Sequence, residues 1–221
     1  MKKKLQVLSI SLALASATSI LHAEGNINAG KEKSASCASC HGDDGNSMVA
    51  TFPKLAQQHS SYLAQQLHAF KDGTRNDPMM SPMAKSLSDE DIADISAYYA
   101  TQKVAENALP VLPPADEDEN PSGKKYDIQG LIAQGSNLYR NGNLQSEVSA
   151  CIACHGPFGE GNKPASFPAL KSQHADYLIK ALTDFKSGAR SNNPENIMHM
   201  IAKKMTDEEI KAVSYRISMM K

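Results

Sequence analysis

The sequence predicts an all-α protein built from two copies of one domain. Three observations carry this reading. No segment sustains the apolar-polar alternation of a half-buried strand. Apolar residues recur at helical spacing behind well-marked helix starts. Several short peptides also return in the same order 115 positions downstream.

The chain opens with Lys2, Lys3 and Lys4, followed by a mildly apolar stretch from Leu5 to Leu21 that closes on Leu21-His22-Ala23. This is the pattern of a secretory signal peptide, residues 1–23, cleaved after Ala23. Ser9, Ser11, Ser16, Thr18 and Ser19 make the stretch too polar for a good membrane-spanning helix, and no other segment is apolar enough to span. The expected destination is therefore outside the cytoplasm.

The repeat defines the rest. Phe52-Pro53-Lys54-Leu55 returns as Phe167-Pro168-Ala169-Leu170, His59-Ser-Ser-Tyr62-Leu63 as His174-Ala-Asp-Tyr177-Leu178, and Phe70-Lys71-Asp-Gly73-Thr-Arg75 as Phe185-Lys186-Ser-Gly188-Ala-Arg190. A domain-sized period means duplication of a whole domain rather than a solenoid. The copies span 24–103 and 127–221. Between them, 104–126 carries Pro110, Pro113, Pro114 and Pro121 with the acidic run Asp116-Glu117-Asp118-Glu119, the composition of an extended, solvated linker.

Each copy ends in a helix with a marked start, Ser88-Asp-Glu-Asp91 in the first and the capping box Thr206-Asp-Glu-Glu209 in the second. Behind them Ile92, Ile95 and Tyr99, then Ile210, Val213 and Ile217, share one helical face and are expected to be core. Tyr62 to Lys71 and Tyr177 to Lys186 read as further helices, stopped near Gly73 and Gly188.

The chemistry lies in a pentapeptide that occurs twice, Cys37-Ala-Ser-Cys40-His41 and Cys151-Ile-Ala-Cys154-His155, and uses all four cysteines. Cys-x-x-Cys-His is the attachment motif of c-type haem: two thiols on one helical turn reach both vinyl groups of a porphyrin, and the next residue offers its imidazole to the iron. A zinc ribbon would need the pairs much closer than 151 − 37 = 114 residues. A thioredoxin-like pair would follow an apolar β-branched strand, which neither copy does. Two covalent haem c groups are thus expected. Domains of 80 and 95 residues without tryptophan bury little apolar area, so haem must supply much of each core.

A second axial ligand must come from the many methionines or spare histidines. Counted back from the helix starts, Met80 lies eight residues before Ser88 and Met198 eight before Thr206. Met79, Met83, Met200 and Met205 align with Ile197, Ile201, Pro82 and Leu87, so Met80 and Met198 are the repeated pair. His59 and His174 also recur, at the start of a helix, where capping or surface roles are ordinary. His68 and His199 have no repeat partner and read as surface residues. Pro53 and Pro168 fix a turn, and their carbonyls are placed to accept the Nδ1–H of His41 and His155. Arg75 and Arg190 either donate to a haem propionate or are exposed helix-end charges.

These motifs resemble the class I cytochromes c, and their duplication is similar to the di-haem cytochrome c4 family. The resemblance runs nearly end to end: the haem motif with Gly42 or Gly156 after it, Phe-Pro-x-Leu, Tyr-Leu, Gly-x-Arg, the methionine before a capped helix, Tyr98-Tyr99, and Gly135, Leu138, Tyr139, Arg140 and Gly142 ahead of the second motif. It implies two packed domains, each wrapped around one covalent haem, with propionate edges facing across the interface. It also implies a periplasmic electron carrier rather than an enzyme, in some cases peripherally membrane-associated. Such a carrier takes electrons from a quinol-oxidising cytochrome bc complex and passes them to a terminal oxidase or another periplasmic redox protein. The linker is longer and more acidic than that family's pattern. Two alternatives stand beside it: a haem subunit of a larger periplasmic dehydrogenase, and a di-haem peroxidase, which would be longer and need one iron open to peroxide.

With 23 Lys and Arg against 24 Asp and Glu, the chain is not a nucleic-acid binder. Charge is uneven between the copies: residues 24–103 hold 7 Lys and Arg against 10 Asp and Glu, and residues 127–221 hold 11 against 9. An acidic surround favours ferric iron, so the lower potential is expected at the N-terminal haem, softened by screening. The small apolar content makes one further expectation testable. Haem-free protein should show far less helix by circular dichroism than the holo-protein and no cooperative melt; native-like helix content would contradict it.

Overall fold

The computed structural model describes residues 25–109 and 127–221. The expected signal peptide, 1–23, and the proline-rich, acidic part of the expected linker lie outside the described residues. Within them there are ten α-helices, one 3-10 turn and no strand. The first domain contains α1 (Ile27–Lys33), α2 (Ala35–His41), α3 (Ser60–Asp72), α4 (Met80–Lys85) and α5 (Asp89–Thr101). The second repeats the order as α6 (Ile128–Asn141), α7 (Ile152–His155), α8 (Ala175–Ser187), α9 (Ile197–Ala202) and α10 (Asp207–Ser218).

The terminal helix of each copy begins where its cap residues dictate. Ser88 Oγ accepts from Asp91 N and the Asp91 carboxylate accepts from Ser88 N, so the first copy has a full capping box, as Thr206 and Glu209 do in the second. Ile92, Ile95 and Tyr99, and Ile210, Val213 and Ile217, are all buried. Helices α3 and α8 stop at Gly73 and Gly188, whose φ values of 84° and 81° lie in the left-handed region where a side chain is strained.

The first helix of each domain crosses the last: α1 packs on α5, and α6 on α10. A glycine sits at each crossing. A Cβ on Gly30 would stand 2.0 Å from Asp94 O, and one on Gly135 2.0 Å from Ala212 O, so only a hydrogen lets the backbones approach. Gly30 is the first-domain counterpart of Gly135. The α1–α5 crossing is further held by Asp94, which accepts from Asn26 N at 2.6 Å and from Lys33 Nζ at 2.6 Å. The Lys33 hydrogen bond keeps the Asp94 carboxyl below the usual carboxylate range.

Three apolar clusters result, the smallest of them Leu131, Ala212 and Tyr215 at the α6–α10 crossing. Leu63, Ile95, Tyr98 and Tyr99 form the first, with Cys37 and Leu55 against it. The second is larger, gathering Leu138, Tyr139, Leu178, Ile210, Val213 and Ile217, with Cys151 against it. In both domains a motif cysteine borders the core.

Linker residues Val104 to Asn107 depart from the expected solvated strand. Asn107 Nδ2 donates to the carbonyls of Ser172, Gln173 and Ser218 at 2.9–3.1 Å, and Lys54 Nζ donates to Ala105 O and Asn107 Oδ1, both at 2.6 Å. The two N–H groups of one amide, shared among three carbonyls, tie this stretch to the second domain.

Replacing Gly135 by valine should destabilise the holo-protein by more than ~3 kcal/mol, since the overlap is with backbone that cannot rotate away. Denaturant unfolding followed at the Soret band measures this, and Gly30→Val should behave alike.

Candidate haem-binding sites

Helix α2 carries Cys37 and, one turn on, the adjacent Cys40 and His41, and α7 with its N-terminal cap carries Cys151, Cys154 and His155. All four thiols are free and half-buried. Burial pushes the Cys37 thiol up and takes Cys151 up to about 11. Among the described residues no three His, Cys, Asp or Glu side chains gather as a metal-ion site.

Both motif histidines are buried, and each is anchored identically. His41 Nδ1 lies 2.8 Å from Pro53 O and His155 Nδ1 lies 3.0 Å from Pro168 O. A carbonyl can only accept, so Nδ1 carries the proton and Nε2 keeps its lone pair. Burial holds both imidazoles below the ordinary histidine range, against the opposing pull of the proline carbonyls. Neutral imidazole with a free Nε2 is the form that binds iron.

Met80 is the first residue of α4 and Met198 the second of α9, and both are half-buried. Each start is set by a side chain from the preceding loop: Asp77 Oδ1 accepts from Met80 N at 3.0 Å, and Asn193 Oδ1 from Met198 N at 2.9 Å. The other methionines of these segments sit elsewhere. Met79, Met83 and Met200 are exposed, and Met205 is in the core.

Arg75 and Arg190 stack on Phe70 and Phe185 of their own domains, each guanidinium carbon 4.4 Å from the ring centroid. Arg190 is buried, so it is not an exposed helix-end charge. The two cations converge between the domains: both donate to Gln66 Oε1, Arg190 also donates to Tyr62 Oη at 2.9 Å, and Arg75 lies 3.4 Å from Tyr177 Oη. Burial alone would push the Tyr177 hydroxyl up, but the two guanidiniums outweigh it and hold it below the tyrosine range. Neither arginine has a carboxylate partner among the described residues. Buried cations ordinarily have one. Haem brings two propionates, so this seam fits the group that the cysteines would hold.

The seam is built by exchange. Gln58 donates to Ala169 O at 2.9 Å and accepts from Ala169 N at 2.8 Å, while Gln173 donates to Lys54 O at 2.9 Å and accepts from Lys54 N at 2.8 Å. Positions 58 and 173, like 54 and 169, are 115 apart, so one domain does to the other what is done to it. The histidines that follow the glutamines occupy the N-cap positions of α3 and α8, yet their side chains form no caps. His174 Nε2 instead lies 2.9 Å from Ser47 O in the first domain. His199 is half-buried rather than a surface residue, with Nδ1 2.7 Å from Phe185 O, while His68 is exposed.

The cytochrome c family model matches residues 27–103 and 132–218. A cytochrome c4 of Pseudomonas aeruginosa is 41% identical over 97% of this chain and 96% of its own length. The chain belongs to the cytochrome c4 family. The crystal structure of reduced recombinant cytochrome c4 from Pseudomonas stutzeri superposes with a TM-score of 0.78 at 37% identity, covering 89% of this chain and 100% of that one. A thiosulfate dehydrogenase electron acceptor of Thiomonas intermedia is 36% identical over 82% of this chain and 77% of its own. The protein is thus a di-haem electron-transfer cytochrome, with two haem c groups whose attachment motifs supply Cys37 with Cys40 and Cys151 with Cys154.

The glutamine pair was missed in sequence, although Gln58-His59 and Gln173-His174 repeat as a dipeptide. Its consequence is measurable. Gln58→Ala or Gln173→Ala strands a backbone N–H and carbonyl at the seam and should each cost about 1–3 kcal/mol. Calorimetry of the holo-protein should show the loss, with the domains ceasing to melt together in the double variant.

Proposed function

We propose that the chain carries single electrons through the periplasm, from a quinol-oxidising cytochrome bc complex to a terminal oxidase, with His41 and Met80 as one axial pair and His155 and Met198 as the other. What supports this is the matched pair of sites: each domain presents a carbonyl-anchored neutral imidazole and one half-buried methionine at the same register before its last helix. When bound, each haem supplies the ferric–ferrous exchange. Pro53 and Pro168 fix the imidazole planes, so that little moves when the charge changes. A methionine in each site leaves no open position for substrate, which speaks against peroxidase chemistry, and thioether ligation favours the ferrous state. Arg75 and Arg190 donate to propionates at the seam and neutralise them there.

Export follows from the leader 1–23, with cleavage after Ala23. No helix among the described residues is long and apolar enough to cross a membrane. Association with a membrane would then be peripheral.

A second reading concerns the donor. A relative at 36% identity is named a thiosulfate dehydrogenase electron acceptor, so a periplasmic dehydrogenase of a sulfur compound is the alternative source of electrons. The residues at the haem sites serve either donor.

An optical redox titration of the holo-protein tests the ligands. Two one-electron waves at positive potential are expected, with the near-infrared methionine-to-iron band at both haems. Met80→Ala should remove half the band and displace the lower wave, and Met198→Ala the upper one. Loss of the lower wave in the Met198 variant would reverse the order of potentials, and an unchanged band in either variant would overturn that ligand. Rapid reduction by a thiosulfate dehydrogenase, with none by a bc complex, would decide for the second donor.

A further inference from the structure

The exchange of glutamines gives the seam a pseudo-twofold axis, and with it two equivalent grooves. One is filled by the chain itself: Asn107 caps the carbonyls of Ser172, Gln173 and Ser218, its Oδ1 accepts from Lys54, and Ala105 N donates to Asn46 Oδ1 at 2.7 Å. The equivalent positions in the other groove are Gln57, Gln58 and Ala100. Gln57 and Ser172 share a left-handed backbone, with φ of 60° and 55°, and Ala100 and Ser218 each lie twelve residues beyond the capping residues Ser88 and Thr206. No described residue donates to the carbonyls of Gln57, Gln58 or Ala100.

That second groove is a cavity of about 310 Å³ lined by Gln57, His59, Ala100, Glu160, Lys163 and Lys171, among others. His59 Nε2 is buried facing the Glu160 backbone, a looser contact than the one its counterpart His174 makes to Ser47 O at 2.9 Å. Among the described residues Lys163 and Lys171 form no ion pair. Glu160 is turned to its own loop, accepting from Phe158 N at 2.8 Å.

We propose that this groove binds an extended peptide segment of a partner protein, one that presents an asparagine beside an acidic residue. The carboxamide N–H groups would cap the carbonyls of Gln57, Gln58 and Ala100, as Asn107 caps their equivalents. Lys54 has Ala169 as its counterpart, so Lys171, two residues further along the groove wall, would be the donor to the carboxamide oxygen and the peptide backbone. Lys163 supplies the charge that favours an acidic neighbour, and the His59 ring lines the groove beside it. The site lies on the seam between the haem domains, where a docked partner would touch both.

The test uses the chain's own sequence as probe, acetyl-Val-Ala-Glu-Asn-Ala-amide, titrated into ferrous holo-protein and followed by NMR. Saturable shifts of the His59 ring and of the Gln57, Gln58 and Ala100 amides are expected. They should weaken at least tenfold when alanine replaces the peptide's asparagine, or in Lys171→Glu protein whose haem spectrum is unchanged. Absence of saturable shifts, equal affinity for the alanine peptide, or equal binding of capped asparagine alone would overturn the assignment. The redox titration reads the haem ligands independently of all these outcomes.

Discussion

Two consecutive residues in each domain hold together the iron-binding imidazole and the partner domain. Pro53 O accepts from His41, and the very next peptide unit, Lys54, exchanges two hydrogen bonds with Gln173. Pro168 and Ala169 do the same for His155 and Gln58. Proline fixes φ at the turn, so the carbonyl that orients the ring and the peptide that meets the neighbour cannot be adjusted separately. Interdomain packing and imidazole orientation are therefore one constraint, applied twice.

The remaining architecture serves that constraint. Capped terminal helices provide a rigid wall, glycine at each helix crossing lets the first helix lie close against it, and the motif cysteines border the apolar clusters that haem would enlarge. The seam is more polar than a core because its strongest contacts go to backbone groups, whose positions the proline turns determine. Two guanidiniums at its centre that no described carboxylate neutralises are the sign that an anionic group belongs there.

Much of this was legible in sequence for a physical reason. Helix caps, glycine stops and the haem motif are local signals, and duplication supplied a register against which methionines could be compared. What escaped was non-local. The N-terminal helices went unpaired because Gly30 and Gly135 are 105 apart rather than 115, the second copy carrying extra residues around the Asn143–Val148 bridge. The glutamines bind main chain, which has no residue-type signature. Nor does composition say that Arg190 is buried or that His199 reaches Phe185 O. The linker's proline and acid content suggested a solvated tether, but its opening residues are fastened by Asn107, by Lys54 and Asn46 on Ala105, and by Lys221 on Glu106.

The glutamine exchange also says what a single copy of this domain would be. Each half carries both the side chain that gives and the peptide that receives, so its seam face is self-complementary, the property of an isologous dimer surface. Separated halves would meet their own kind through the same contacts, at a strength set by how much of them is present. Joining the two in one polypeptide replaces that dependence on concentration with a fixed local concentration, on the order of millimolar for a short tether. The covalent repeat is thus a dimer freed from dilution, a condition that matters for a carrier which must work as a pair wherever it diffuses.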